Sequence, residues 1–352
     1  MAEWQDEITT EFGANVFHAG FSGDTISTGS IVLDFLTGIN GLPCGAIVEL
    51  FGNEGSWKTT LLLTILHLAM KQGRPILYLD YESTISYAWL KRLGIDTKAF
   101  KPYHILPSTM EDGFMIMNRF CERYKNGVIG VDSVAAMPPI TDVEKMKEVI
   151  GQVRVASQAQ VMSRAMRQMC SVFKRANHCV IFTNQERSNI DTMGRSLGKK
   201  TTPGGAAVKF YSAMRIQMEA VPPGITVETE NPVTGKVTKE IVALNIRVKT
   251  IKNRFAPSLR QSNIVFRMDK GLDNLYTAIK IAEHVGFISH KGKGRYQLDE
   301  RYSGEALGGM KMHGIDNLWQ YFEDNPKERD LLIADVTDFL AKRLEERNKK
   351  SD

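Results

Sequence analysis

Short hydrophobic runs alternate with helical patterns between about Gly29 and Gln217. The runs cover residues 46–51, 75–80, 127–132 and 178–183. Since they lack the polar alternation of a strand with one solvated face, both faces of each strand are expected to be buried. Helical patterns lie between them at 59–72, 83–93 and 110–125, and a longer one ends near Lys174. The pattern predicts an α/β fold with a mostly parallel sheet between helices.

The remainder of the chain changes character twice. Residues 222–240 are rich in turn formers and predict a hairpin, and 241–254 alternate as a strand does. From Gly271 the pattern is helical again, with helices expected at 276–285, around 319–322 and at 330–344. We therefore divide the chain into four parts. They are a short N-terminal segment (1–28), a core (29–270), a small α+β domain (271–344) and a charged tail expected to fray (345–352).

Polar residues follow three of the predicted strands. Asp80 and Asp132 end two of them, and Thr183, Asn184 and Gln185 end a third. Because open α/β sheets bind ligands beyond the carboxyl ends of their strands, this edge is the expected site.

A near match to the phosphate-binding loop G-x-x-x-x-G-K-[ST] joins the first run to the first helix. In such a loop the backbone N–H groups face an anion at a helix N-terminus, Lys58 places a charge on the β- and γ-phosphates, and the Thr59 hydroxyl can bind Mg²⁺. The sequence thus predicts ATP and Mg²⁺ as ligands. The candidate residues are Gly52, Asn53, Glu54, Gly55, Ser56, Trp57, Lys58, Thr59 and Thr60.

Trp57 departs from this motif, which has glycine before the lysine. If the position requires a positive φ angle, a tryptophan costs about 1–2 kcal/mol there. Two arrangements are open. The indole either points away from the phosphates and packs against protein, or it fills the phosphate position and blocks the site.

Two carboxylates complete the candidate site. Asp132 follows a hydrophobic strand and can hold Mg²⁺ through its water shell, although it could instead cap a helix. Glu82 can face the γ-phosphate and orient a water molecule, or it could be an ordinary surface residue.

Composition adds little to these motifs. The 352 residues are 43% hydrophobic and 24% charged, as in an ordinary globular protein, and the net charge of +5 permits a polyanionic partner. The cysteines form no C-x-x-C pair, which favours reduced thiols over disulfide or zinc roles. No run is long enough to cross a membrane, so a cytoplasmic protein with no membrane partner is expected.

Several ordered motifs together resemble the bacterial RecA recombinase family, from about residue 12 to 340. They are residues 25–30, 41–45, 49–60, Asp80 with Glu82, 131–136, 182–185, Gly204-Gly205 with 209–211, and 248–254. The resemblance implies a RecA-like P-loop ATPase core. The short N-terminal segment and the missing acidic tail indicate a divergent member.

The resemblance also implies roles for individual residues. Glu82 would be the general base and Gln185 the sensor of the γ-phosphate. Trp89 lies where the family stacks a tyrosine on adenine, and an indole keeps that aromatic face. Lys252 and Arg254 would act on ATP held by the neighbouring protomer, so that hydrolysis needs a filament; an ordinary solvated strand end is the alternative.

Two loops correspond to the DNA-facing loops of the family. The second spans 186–206 and is long, basic and rich in glycine and serine, which suits a phosphodiester backbone. Its candidates are Arg187, Arg195, Lys199, Lys200, Thr201, Thr202, Gly204 and Gly205. The first, 138–154, is more charged than in the family, although Ser163 and Arg167 on the helix after it match.

The small C-terminal domain collects duplex DNA in the family. Lys291, Lys293 and Arg295 are the candidates here, and a solvated hairpin is the alternative reading. The implied function is that of an ATP-dependent DNA recombinase, which forms filaments on single-stranded DNA and exchanges strands with a homologous duplex. A filament or assembly protein with weak or absent ATP hydrolysis, because of Trp57, is the second reading.

Overall fold

A computed structural model describes residues 23–145, 155–190, 196–201, 205–230, 237–303 and 311–349. Its strands, in chain order, are β1 Thr25–Ile26, β2 Leu42–Pro43, β3 Ala46–Gly52, β4 Ile76–Asp80, β5 His104–Ile105, β6 Val128–Asp132, β7 Cys179–Gln185, β8 Arg187–Ile190, β9 Ser196–Thr201, β10 Met214–Glu230, β11 Val237–Asn253, β12 Gln261–Arg267, β13 Gly271–Asp273, β14 Ile288–His290, β15 Arg295–Leu298 and β16 Lys311–His313.

The helices of the described residues follow the same order. They are α1 Ile31–Thr37, α2 Lys58–Lys71, α3 Tyr87–Arg92, α4 Thr97–Phe100, α5 Met110–Arg123, α6 Ile140–Lys145, α7 Val155–Ala176, α8 Gly205–Tyr211, α9 Asn274–Val285, α10 Glu300–Ser303, α11 Ile315–Asp324 and α12 Pro326–Lys349.

A nine-stranded sheet organises the core, in the order β13-β12-β11-β10-β3-β7-β6-β4-β5. The six strands from β10 to β5 run parallel, and β11, β12 and β13 extend the sheet by antiparallel pairing. β3 lies between β10 and β7, so the loop that follows it opens at the middle of the sheet's carboxyl edge. The predicted α/β class with a mostly parallel sheet between helices is confirmed.

Alternate residues of the central strands face opposite layers. Val48 and Leu50 of β3 join the hydrophobic cluster beneath α2, whereas Ile47 of the same strand joins the cluster beneath α5 and α7. Strands buried on both faces explain why the sequence shows continuous apolar runs. Phe266 of β12 is also fully buried in the first cluster.

A third cluster gathers the C-terminal elements. Helices α9, α11 and α12 pack with the three-stranded sheet β14-β15-β16 in an α+β arrangement. Asn274 joins it to the core, because its amide donates to the carbonyl of Gly29 over 2.6 Å and its side-chain oxygen accepts from the N–H of Ile31 over 3.3 Å.

Three expectations differ from the structure. The helix expected at 83–93 is shorter, since Asp80 accepts hydrogen bonds from the N–H groups of Glu82 and Ser83 and holds them in a turn. The described part of the loop expected at 186–206 pairs as a hairpin of β8 and β9. The helix expected to end at Leu344 continues to Lys349, through most of the segment expected to fray.

Candidate functional site

The loop between β3 and α2 has the main-chain form of a phosphate-binding loop. Gly52 passes so close to β10 that a Cβ atom would lie 1.9 Å from the carbonyl oxygen of Met218, which excludes every other residue. Gly55 has a φ of 71°, a conformation that glycine adopts without strain. The close approach to β10 therefore requires glycine at position 52, and the positive φ favours it at position 55. Helix α2 begins directly after the loop.

Lys58 lies in the mouth of this loop. Its Nζ donates to the carbonyls of Gly52 over 3.1 Å and Asn53 over 2.7 Å, and to the Oγ of Ser56 over 3.1 Å. Burial lowers the pKa of Lys58, while the nearby carboxylates, Asp132 first among them, oppose that shift. A cation held by neutral groups of its own loop is available to an anion that enters the loop.

Asp132 ends β6 and collects three hydroxyl donors. Its Oδ2 accepts from Thr59 over 2.6 Å and from Tyr78 over 3.2 Å, and its Oδ1 accepts from Thr183. Burial raises the pKa of Asp132, and the hydrogen bonds from Thr183 and Thr59 counteract it. Thr59 and Asp132 thus bring together a hydroxyl and a carboxylate, the oxygen ligands that Mg²⁺ takes in proteins.

Glu82 faces the same place from the turn after β4. Its Oε1 accepts from the Oγ of Ser133 over 2.5 Å. Asp80 fixes the turn, because it accepts from the N–H of Glu82 over 3.1 Å and of Ser83 over 2.7 Å. His104 of β5 lies 3.1 Å from the other oxygen of Asp80. Asp80 therefore fixes the main chain of Glu82, and Ser133 fixes its carboxylate.

These groups line one cleft of about 370 Å³ at the carboxyl edge of the sheet. Nearly all the residues predicted for the nucleotide meet there, and the cleft adds Ser133. Its lining residues are Glu54, Gly55, Ser56, Trp57, Lys58, Thr59, Thr60, Glu82, Trp89, Asp132, Ser133 and Gln185. A half-buried cation beside a helix N-terminus, with a hydroxyl–carboxylate pair next to it, fits a Mg²⁺–triphosphate.

Trp57 adopts a left-handed conformation, with φ 63° and ψ 24°. Its indole stacks on Phe266, with ring centroids 5.2 Å apart and planes 20° apart. Trp89 of α3 is a second aromatic neighbour of this indole, with centroids 6.0 Å apart and planes 57° apart. The mouth of the loop holds the Lys58 ammonium, and the indole packs against protein beside it.

A buried ion pair supports the strands that carry the site. Glu49 of β3 is fully buried, and its carboxylate accepts from Arg215 Nε over 2.5 Å and from the Asn184 amide over 2.9 Å. The Arg215 guanidinium also lies over the ring of Phe51, 4.3 Å from its centroid. Asn184 precedes Gln185, so this pair connects β10 and β3 to the strand that carries the predicted γ-phosphate sensor.

Arg215→Ala is expected to lower the free energy of unfolding by about 3–5 kcal/mol, because it leaves the Glu49 carboxylate buried without its cation. The matched control is Arg247→Ala on β11, whose pair with Glu219 spans 3.6 Å and is nearly half exposed. That change should cost less than about 1 kcal/mol. Urea unfolding of both variants measures the difference. Equal losses would mean that the buried pair contributes no more than an exposed one.

Lys252 and Arg254 lie outside the cleft. Lys252 Nζ donates to the carbonyls of Lys209 and Phe210 over 2.9 Å each, and Arg254 donates to that of Phe210 over 3.3 Å. Both cations therefore meet the C-terminus of α8, where the last carbonyls of a helix attract positive charge. Burial is the main cause that lowers the pKa of Lys252.

The residues predicted to contact DNA are spread over three places. On α7, Ser163 is half-buried and Arg167 is exposed. The second-loop candidates inside the described residues occupy β8 (Arg187), β9 (Lys199, Lys200, Thr201) and the start of α8 (Gly205). Arg195, Thr202 and Gly204 lie outside the described residues, as do residues 146–154 of the first loop and residues 1–22. Lys291, Lys293 and Arg295 are exposed around the β14–β15 turn.

Sequence reasoning missed several residues that shape the cleft. Ser133 directly follows Asp132 in a quoted motif, and that position beside a strand-end carboxylate was the available signal. Thr183 was expected at the ligand edge, but its hydrogen bond to Asp132 was not. No sequence signal pointed to Tyr78, which lies within a predicted strand, or to His104, which lies outside every predicted element. Phe266 is 209 positions from Trp57, so no local pattern joins them.

The described part of the chain contains no helix that combines the length and apolarity needed to span a membrane. Among the same residues no group of three or more His, Cys, Asp or Glu side chains forms a metal cluster. The four cysteines are unpaired thiols, and Cys44, Cys121 and Cys179 are buried.

Comparison with known proteins agrees with the motifs. A family model for the RecA N-terminal domain matches residues 8–273. Protein RecA of Thermotoga sp. (strain RQ2) is 33% identical over 333 residues, which cover 93% of this chain and 86% of the relative. Protein RecA of Thermus aquaticus is 34% identical over 269 residues, which cover 76% of this chain and 74% of the relative.

A solved structure, that of the RadB recombinase, aligns with a TM-score of 0.49 and 18% identity, over 70% of this chain and 98% of that one. The family model covers most of the chain, and the relatives extend over nearly all of it at about a third identity. The protein is a divergent member of the RecA family.

Proposed function

We propose that this protein is an ATP-dependent DNA recombinase that forms filaments on single-stranded DNA and exchanges strands with a homologous duplex. One observation carries the proposal: Lys58, the Thr59–Asp132 pair and Glu82 converge on one cleft at the carboxyl edge of the sheet. Each supplies a group that phosphoryl transfer to water requires. Membership of the RecA family supports the DNA partner.

The proposal gives the polar residues of the cleft separate tasks. Lys58 and the loop N–H groups would bind the β- and γ-phosphates, and Thr59 with Asp132 would hold Mg²⁺. Bound Mg²⁺ supplies charge neutralisation at the phosphate oxygens. Glu82 takes a proton from the attacking water, and Gln185 at the end of β7 senses the γ-phosphate. The Glu82 hydrogen bond to Ser133 keeps the carboxylate aimed at the cleft.

Assembly of protomers would complete the site. Lys252 and Arg254 stand outside their own cleft and are assigned to the neighbour's ATP. Phe210, next to them, is 68% exposed, and Leu106, which directly follows β5, is 55% exposed. Large exposed apolar side chains near a sheet edge favour contact with another chain.

Two basic regions would hold DNA. The segment assigned to single-stranded DNA begins directly after Gln185 and contains Arg187, Arg195, Lys199 and Lys200. The predicted γ-phosphate sensor is therefore adjacent in the chain to the predicted DNA-binding segment. Lys291, Lys293 and Arg295 form the second region, assigned to the duplex, at the exposed turn of the small sheet.

A second candidate is a RecA-like assembly protein that hydrolyses ATP weakly or not at all. The left-handed conformation of Trp57 favours it, because a bulky residue is strained there and would stand next to bound phosphates. The packing of the indole on Phe266 favours the recombinase, since the ring has a place outside the loop mouth.

ATP hydrolysis measured with and without single-stranded DNA separates the two candidates. We expect hydrolysis to be slow without DNA and to rise by at least about tenfold with it, because DNA assembles the interfaces at which the trans cations act. A three-strand exchange reaction with homologous and non-homologous duplexes then tests the recombinase itself. Nucleotide binding without any stimulated hydrolysis would favour the assembly protein.

A further inference from the structure

Two indoles line one side of the cleft, and a third aromatic ring lies behind one of them. Phe266 is fully buried, and the Trp57 indole stacks on it with planes 20° apart. Trp57 and Trp89 are both half-buried and both line the cleft. Their centroids are 6.0 Å apart and their planes 57° apart, so the two indoles form a wedge rather than a parallel stack.

The backbone of Trp57 explains why its ring reaches this wedge. At φ 63° and ψ 24° the residue directly precedes α2, so its main chain belongs to the phosphate loop. Lys58 fills the mouth of that loop with hydrogen bonds to Gly52, Asn53 and Ser56. Trp57 therefore contributes main chain to the phosphate end of the cleft and side chain to its aromatic end.

We propose that Trp57 is a specificity-determining residue, which forms with Trp89 a wedge for the nucleobase and makes the site prefer purine to pyrimidine nucleoside triphosphates. The inference rests on the proposed function, since it requires a triphosphate in the loop. Phe266 covers one face of Trp57 and supports it from below. A base stacked on one indole presents its edge to the other, a favourable arrangement of aromatic rings, and a two-ring purine makes more of this contact than a pyrimidine.

Equilibrium binding of ATP, CTP and inorganic tripolyphosphate to the full chain, each with Mg²⁺, tests the wedge by calorimetry. The parent protein should bind ATP more tightly than CTP. In Trp57→Gly, the ATP affinity relative to tripolyphosphate should fall about tenfold. The ratio is the informative quantity, because glycine also relieves the backbone at a positive φ and can change phosphate affinity by itself.

Two further variants control for packing. Trp57→Phe keeps a ring against Phe266 and should retain an ATP preference between those of the parent and Trp57→Gly. It also serves if the glycine variant fails to fold. Trp319→Phe is the matched control, since Trp319 packs in the C-terminal cluster beneath Arg267 and does not line the cleft. It should leave all three affinities unchanged.

Three other binding results would contradict the proposal, each in a different way. If every Trp57 variant binds ATP with the parent ratio to tripolyphosphate, the wedge is wrong and Trp57 only packs on Phe266. If Trp57→Gly binds nucleotide and tripolyphosphate while the parent binds neither, the indole blocks the loop; this overturns the wedge and keeps the nucleotide site. If no variant binds any of the three ligands, the proposed function fails and the wedge fails with it.

Discussion

Glu82→Gln is expected to bind ATP as the parent does and to hydrolyse it about 10²- to 10⁴-fold more slowly. Glutamine has the shape of glutamate, and its amide oxygen can still accept the hydrogen bond from Ser133 that the carboxylate accepts over 2.5 Å. The turn held by Asp80 does not depend on the Glu82 side chain. Only the capacity to take a proton from water is lost. Single-turnover hydrolysis with single-stranded DNA, beside an ATP dissociation constant, measures both effects.

Glu122→Gln provides the control for this change. Glu122 lies on α5, where its carboxylate accepts from the Asn118 amide on an exposed face. The control should hydrolyse ATP at the parent rate. Hydrolysis by Glu82→Gln at that same rate would remove Glu82 from the chemistry, whatever its place in the cleft.

Lys252→Ala is expected to abolish DNA-stimulated hydrolysis while the isolated protomer still binds ATP. The sheet register explains why the lysine does not serve its own nucleotide. Lys252 pairs with Arg215, which pairs with Glu49, three residues before Gly52. Two strand spacings and three residue rises separate Lys252 from Gly52 by about 14 Å, farther than a lysine side chain reaches. Its charge is therefore assigned to a neighbouring protomer.

Mixing Lys252→Ala with Glu82→Gln turns this assignment into a sharp test. In a filament of Lys252→Ala alone, every interface lacks the lysine of the neighbouring protomer. In a filament of Glu82→Gln alone, every interface lacks the general base. In mixed filaments, ATP held by a Lys252→Ala protomer has its own Glu82 and can face a Glu82→Gln protomer with an intact Lys252. Random equimolar mixing of a head-to-tail assembly restores about a quarter of the interfaces. A hydrolysis rate well above that of either variant alone is the expected result.

A structural role of Lys252 needs its own control, because its ammonium also binds the last carbonyls of α8. Lys125→Ala removes a similar contact, the 2.7 Å bond from Lys125 to the carbonyl of Cys121 near the end of α5. It should cost similar stability and leave hydrolysis intact. If the mixed filaments stay as inactive as the separate variants, Lys252 acts within its own protomer or only on α8.

The central part of the fold could be predicted because its signals are local. A strand buried on both faces must be apolar throughout, and the polar residues that end it mark the ligand edge, as Asp132 and Gln185 do. The P-loop is likewise contained in nine consecutive residues. Features that one short segment determines could be predicted from the sequence. They include the central strands and most of the residues that line the cleft.

Other features depend on contacts between distant residues. Nothing near Trp57 indicates that Phe266 would receive its indole, and the αL conformation of Trp57 follows from the loop rather than from the tryptophan. The helix expected at 83–93 begins later because the Asp80 side chain binds the next main-chain N–H groups. Lys252 and Arg254 could be identified by resemblance, but their contact with α8 required the assembled sheet.

The short strand β5 also affects how a single protomer behaves in a concentrated solution. A wide sheet with a long flat edge would template uncontrolled pairing with other chains. Among the described residues, the sheet ends at His104 and Ile105, which pair with Tyr78 and Leu79 of β4. An incoming strand finds few main-chain partners, so it must also match exposed side chains such as Leu106 to stay bound. A two-residue edge of this kind therefore disfavours indiscriminate strand pairing.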